Sequence, residues 1–156
     1  MKNKKIGLLK CIAIPLLVGG LSALISGGGM QAFGMLTQPP LSPPGWLFPV
    51  VWTILYILMG IASWLVWTSD ANKQDIFYAL MVYGRQLFVN FFWSIFFFRL
   101  NWYFFAFVWL LLLWGLIIAN ILVFYPIRKT AAYLLIPYLV WVTFAGYLNL
   151  GIWYLN

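Results

Sequence analysis

Long apolar runs separated by short polar connectors dominate the chain. A membrane-crossing helix needs roughly 20 predominantly apolar residues at about 1.5 Å rise each. Five stretches meet that length: Cys11 to Gly29, Trp46 to Trp67, Ile76 to Phe98, Tyr103 to Tyr125 and Ala131 to Leu155. Aromatic residues crowd their ends, as interfacial belts do. The pattern predicts an all-α integral membrane protein, a five-transmembrane-helix bundle, with residues 1–156 as a single membrane domain. Ser69 to Asp75 is a short polar connector, and Arg99 to Trp102 and Pro126 to Thr130 are tight turns. Connections this short imply antiparallel neighbours. The connector from Gly27 to Pro44 is longer and holds Gly27-Gly28-Gly29 and four prolines. It is read as a lid, because long loops on compact scaffolds tend to carry function.

The first run follows Lys2, Lys4 and Lys5 and ends in Ser22, Ala23 and Ser26, the outline of a secretory signal. It is long for such a signal, and Cys11 follows Lys10 instead of the small residues of a lipoprotein site, so it is expected to stay as the first helix. Gly19, Ala23 and Gly27 recur at i, i+4 and i+8. Such a small-residue stripe lets a second helix approach closely, within the bundle or in a homodimer. Lys2, Lys4, Lys5, Lys10, Lys73, Arg128 and Lys129 fall on one side of the expected bundle, and only Arg99 on the other. The positive-inside rule then predicts a cytoplasmic N-terminus, with the long first connector and the C-terminus outside.

Composition narrows the chemistry. Of 156 residues, 65% are hydrophobic, 21% aromatic and only 7% charged, which excludes an ordinary soluble domain. The net charge of +7 comes from cations scattered at segment ends, not a basic face with interleaved rings, so no nucleic-acid partner is expected. There is no His, the only acids are Asp70 and Asp75 in one connector, and Cys11 stands alone. A disulfide, a multi-thiolate metal site and His-dependent nucleophilic catalysis are all excluded, and no metal site or resident cofactor is expected.

What remains is a set of rings and amides that a lipid-facing helix does not need. Gln86, Asn90, Trp93, Ser94 and Phe97 share one face of the third span. Trp52, Tyr56 and Met59 share a face of the second, and Tyr138, Trp141, Ala145 and Leu148 a face of the fifth. An amide in hydrocarbon is costly unless paired, so these faces should point into the bundle. Two readings follow. The amides act as glue between helices, at roughly 0.6 to 2 kcal/mol each. Alternatively they are the few placed polar groups of an apolar, aromatic-walled pocket. Arg85 is expected to snorkel, to pair with carbonyls or to receive a ligand carboxylate. Asn120 is expected to bond to a neighbouring helix.

Several spaced motifs carry a resemblance. Pro43-Pro44-Gly45-Trp46 runs on to Trp52, Leu55-Tyr56 and Met59-Gly60. Gln86, Asn90, Trp93 and Phe97-Phe98 follow in register, and then Pro137-Tyr138-Leu139, Trp141, Phe144-Ala145 and Leu148-Asn149. In these the chain resembles the translocator protein family, also called tryptophan-rich sensory proteins or peripheral-type benzodiazepine receptors. The resemblance implies a five-helix bundle whose cavity opens toward the first loop, in a bacterial cell membrane. It implies porphyrins such as protoporphyrin IX, or haem, as ligands. In some members it extends to sterols and to isoquinoline or benzodiazepine drugs. The residues matching ligand-lining positions are Pro44, Trp52, Asn90, Trp93, Trp141, Ala145 and Leu148. Light-driven porphyrin breakdown in some members implies Trp52 and Trp141 as photochemical residues.

The sequence departs from the family pattern in its first loop, where Ala32-Phe33, Gln38 and Leu41 replace a Trp-Tyr pair, a basic residue and a further Trp. Trp109 replaces an acid early in the fourth span, and Leu150 and Tyr154 replace the Tyr and basic residue of a C-terminal sterol-recognition pattern. The expected function is a membrane receptor or sensor for porphyrin-like ligands, with a photodegrading protein and a tetrapyrrole or lipid transporter as alternatives. Against transport stand five unpaired spans without an internal repeat and the lack of an intramembrane acid.

Overall fold

The computed structural model describes residues 2–27 and 29–156; Gly28 and the Lys2 side chain, both used in the readings above, lie outside the described residues. The elements in order are α1 (Lys2–Ser26), α2 (Gly29–Met35), α3 (Leu47–Trp67), α4 (Lys73–Ser94), a π-helical turn (Ile95–Arg99), α5 (Tyr103–Phe124), α6 (Lys129–Leu134) and α7 (Ile136–Leu155). No strand occurs among the described residues. Among the described residues, four stretches are long and apolar enough to cross a membrane: Asn3–Ser26, Leu47–Trp67, Tyr103–Phe124 and Lys129–Leu155. α4 matches them in length at 22 residues but carries Lys73, Asp75, Arg85, Gln86 and Asn90. The described chain is all-helical as expected, and length with apolar character marks four of the five predicted spans.

Local chemistry sets the boundaries. α4 starts ahead of the expected Ile76 because Asn72 caps it, its side-chain oxygen accepting from the Gln74 N–H at 3.0 Å, and Asp75 sits in the first turn. The expected fifth span is divided. α6 ends at Leu134 and α7 begins at Ile136, with Pro137 in its first turn. Proline has no N–H and disfavours helical backbone before it, so a helix restarts at that point more readily than it runs through. Asn101 takes a left-handed φ of 56° in the turn before α5, a conformation asparagine tolerates better than most residues.

α1 packs mainly on α3, α4 on α5, α5 on α7, and α6 on α3. The α1–α3 seam is close because glycines remove side chains from it. A Cβ on Gly60 would stand 2.5 Å from the Ile12 Cα and 2.8 Å from the Cys11 carbonyl oxygen; one on Gly19 would overlap the Tyr56 ring at 2.2 Å. Gly19 therefore makes the close contact its stripe predicts, inside the chain. Ala23 and Gly27 do not join that seam but line a cavity. α2 lies across the bundle end through Phe33, buried against Phe48, Phe97 and Phe98 at ring separations of 5.4, 6.2 and 6.2 Å.

Candidate ligand cavity

A cavity of about 320 Å³ opens between α1, α2, α3 and α4. Its walls are Phe48, Trp52 and Tyr56 from α3, Asn90, Trp93 and Ser94 from α4, Phe98 from the π-turn, and Met30 from α2. α1 contributes mostly small residues, among them Gly19, Gly20, Ser22, Ala23 and Ser26. The volume is at the lower end of the range typical of small-molecule sites, and the lining has the usual apolar and aromatic character.

The aromatic wall is continuous. Trp52 stacks on Tyr56 at 5.6 Å and lies 6.1 Å from Trp93, which stacks on Phe97 at 5.6 Å. Each tryptophan is held by its neighbours. The Trp93 indole N–H donates to the Asn149 side-chain oxygen at 3.1 Å, and Asn149 in turn donates to the Tyr103 carbonyl at 2.7 Å. Trp52 is only half-buried and meets Tyr138 edge-on at 6.1 Å.

Below this wall the polar residues of three helices form one network. Tyr56 donates to the Asn90 side-chain oxygen at 3.3 Å, the Asn90 amide donates to the Tyr138 hydroxyl at 2.7 Å, and Tyr138 donates to the Gln86 side-chain oxygen at 2.8 Å. The Gln86 amide reaches the Met59 sulfur at 3.6 Å. All five side chains are buried. Both sequence readings of Asn90 are present together: it joins α3, α4 and α7, and it lines the cavity.

Trp52, Asn90 and Trp93 thus meet at one cavity, whereas the other sequence-expected site residues lie elsewhere. Trp141 is half-buried against Phe48 at 5.8 Å and is not among the cavity walls, and its indole N–H is buried without a hydrogen-bond partner among the described residues. Ala145 and Leu148 are buried in the hydrophobic core. Pro44 is exposed in the first loop, its carbonyl accepting from the Leu47 N–H at 3.0 Å. Arg85 is exposed on the outer face of α4 beside Phe88 and Leu116. Asn120 is buried, yet its amide has no hydrogen-bond partner among the described residues, unlike the helix-to-helix bond expected of it. No cluster of metal-binding side chains occurs among the described residues.

Sequence reasoning missed the α1 side. Ser22 bonds to the Phe91 carbonyl at 2.7 Å and to Ser94 at 2.9 Å, and Ser26 reaches Ser94 at 2.7 Å. The signal was present as two serines at i and i+4 in an otherwise apolar helix. The departures in the first loop are also used. Phe33 is the buried anchor of α2, Gln38 donates to the Phe33 carbonyl at 3.1 Å, and Leu41 takes a left-handed φ of 67°. Trp109, where the family places an acid, donates its indole N–H to the Val89 carbonyl at 2.7 Å.

The first loop is fastened to the end of α7. The Thr37 N–H donates to the Asn156 side-chain oxygen at 3.0 Å, and the Asn156 amide returns a bond to the Thr37 carbonyl at 2.9 Å. Tyr147 donates to the Pro40 carbonyl at 2.7 Å, and Gly151 leaves room for the Pro39 ring. The loop expected as a lid is therefore an ordered cover with a short helix in it.

Comparison with known proteins bears on the family. The TspO/MBR family pattern matches residues 11–155. The chain is 37% identical to the tryptophan-rich protein TspO of Chlorobaculum tepidum over 100% of this chain and 99% of that one. It is 34% identical to the protein CrtK of Rhodobacter capsulatus, covering 88% of this chain and 85% of the other. It is also 34% identical to the translocator protein of Bos taurus, covering 90% and 84%.

Proposed function

The chain is a member of the TspO/MBR family and an integral membrane protein, and on that premise we propose that it is a five-span receptor or sensor binding flat, porphyrin-like molecules in the cavity between α1, α2, α3 and α4. The observation that carries this reading is the continuous ring wall of Trp52, Tyr56 and Trp93 around about 320 Å³ of space. A flat apolar ligand gains area burial against such a wall, plus stacking worth about 0.5 to 1.5 kcal/mol per ring pair. Protoporphyrin IX and haem are the proposed ligands, taken as ligands and not as resident cofactors. Trp52, Asn90 and Trp93 contact them directly. Trp141 meets the ligand only through Phe48, against which it packs, and Ala145, Leu148 and Pro44 lie outside the cavity walls. α4 completes the set of five as the third span along the chain, its amides turned inward. The N-terminus is cytoplasmic and the α2 cover faces outward, in a bacterial cell membrane, as the basic-residue asymmetry supports.

The test is titration of the purified protein with protoporphyrin IX in the dark, following tryptophan emission. Saturable quenching beyond that of empty detergent micelles is expected. Quenching that matches the empty micelles overturns the proposal. A second reading, light-driven breakdown of the bound porphyrin, draws support from the 6.1 Å approach of Trp52 to Trp93. Illuminated porphyrin should then lose absorbance faster with protein than in detergent alone, and Trp52→Phe should slow that loss.

A further inference from the structure

The cavity wall shared by α1 and α4 has a hydrogen-bond direction that follows from counting donors. Each serine hydroxyl has one hydrogen to give and two lone pairs to receive. Ser22 lies 2.7 Å from the Phe91 carbonyl oxygen, which only accepts, so the Ser22 hydrogen is committed there. The 2.9 Å contact between Ser22 and Ser94 then needs the Ser94 hydrogen. The 2.7 Å contact between Ser94 and Ser26 needs the Ser26 hydrogen. The chain runs one way, from Ser26 through Ser94 and Ser22 to the carbonyl. The helix changes register beside this carbonyl: the Ile95 N–H bonds to the Phe92 carbonyl, and the π-turn begins. All three serines line the cavity. Their hydrogens are used, while each oxygen keeps at least one free lone pair.

We infer that this hydroxyl chain makes the Ser22–Ser94–Ser26 strip of the α1–α4 wall acceptor-only, so that a flat apolar ligand lying against that strip is favoured when it carries an N–H or O–H donor there over an isostere carrying an acceptor at the same place. The inference deepens the proposed ligand-binding role and rests on it. A ligand donor completes a free serine lone pair. A ligand acceptor meets lone pair against lone pair, or must break a serine–serine bond. Serines that only fasten α1 to α4 would leave affinity indifferent to this difference.

Carbazole and dibenzofuran test the point, because the two tricycles share a shape and differ at the bridging atom, N–H against ether oxygen. Binding is measured with purified protein in detergent and corrected for partition into empty micelles. Carbazole should bind about five- to tenfold more tightly, the value of one hydrogen bond and the avoided repulsion. In the Ser22→Ala/Ser26→Ala/Ser94→Ala protein the preference should fall below about twofold, with dibenzofuran affinity held. Equal affinities in the wild type, or tighter dibenzofuran, overturn the inference and leave ligand binding standing. Protoporphyrin IX binding without either tricycle overturns it too. Binding of none of the three overturns both the inference and the receptor reading. The wild-type pair decides the matter even where the triple variant does not fold.

Discussion

The two ends of the bundle are built from different residue sizes, and they pack differently. At the end near α6, Ala62, Val66, Ala79, Ala131, Ala132 and Leu135 are fully buried at 0% exposure. At the end under α2 the buried residues are rings, among them Phe33, Phe48, Tyr56, Trp93 and Phe97, and a cavity of about 320 Å³ is left between them. Alanines let backbones approach until van der Waals contact fills the space. Rings prefer edge-on or offset contacts with centroids about 4.5 to 7 Å apart, a constraint that leaves voids where several meet. The polar network of Gln86, Asn90 and Tyr138 lies between the two regimes and ties α4 to α7. A membrane bundle can thus hold space open at one end without loosening the other.

The sharpest way to break this contrast is to put a side chain into the close seam. Gly60→Leu should abolish accumulation of folded protein, since its Cβ alone would meet the α1 backbone at 2.5 Å. Gly60→Ala should cost about 1–3 kcal/mol in reversible unfolding. A wild-type melting temperature in Gly60→Ala would mean that α1 is free to shift.

Tyr138→Phe comes next. It leaves the Gln86 oxygen and an Asn90 N–H without their partners in a buried site. The expected destabilisation is about 1–3 kcal/mol, read from the same unfolding curve.

Binding changes should be smaller and confined to the open end. Trp52→Ala should weaken protoporphyrin IX by roughly tenfold, the stacking term and its buried area together. Trp141→Phe should change it by less than about twofold, because a ring still backs Phe48. Equal losses at the two positions would show that Phe48 does not separate them. The smallest effect belongs to Gly84→Ala, where a Cβ meets nothing within 4 Å. Helix propensity alone should then stabilise the protein by up to about 1 kcal/mol, measured as a rise in melting temperature.

Much of this was legible in the sequence, for reasons that can be assigned. The faces of α3, α4 and α7 were readable because rings and amides recur at helical spacing, and Gln86, Asn90, Trp93 and Tyr138 are indeed buried. The break before Pro137 was not read, because the run from Ala131 is apolar on both sides of it. The α1 wall was harder still. Gly19, Gly20, Gly27 and Gly29 line the cavity by lacking side chains, so nothing in their chemistry marks them as site residues. The sequence faces supplied Trp141, Ala145 and Leu148 from α7 as partners for Trp52, but α1 stands at the cavity in their place. Which helix faces which across a bundle is a tertiary fact that periodicity within one helix does not contain.

The α1 side of the cavity has one more consequence. Gly20, Ala23, Gly27 and Thr53 line the cavity and are also exposed, and Leu17, Leu21 and Leu24 of α1 face outward beside them. That rim abuts acyl chains, not water, when the helices cross a bilayer. An apolar guest then arrives from a solvent of lipid, and its concentration counts as moles per mole of lipid. Doubling the lipid at fixed guest halves that mole fraction and weakens the apparent affinity, with no atom of the protein displaced.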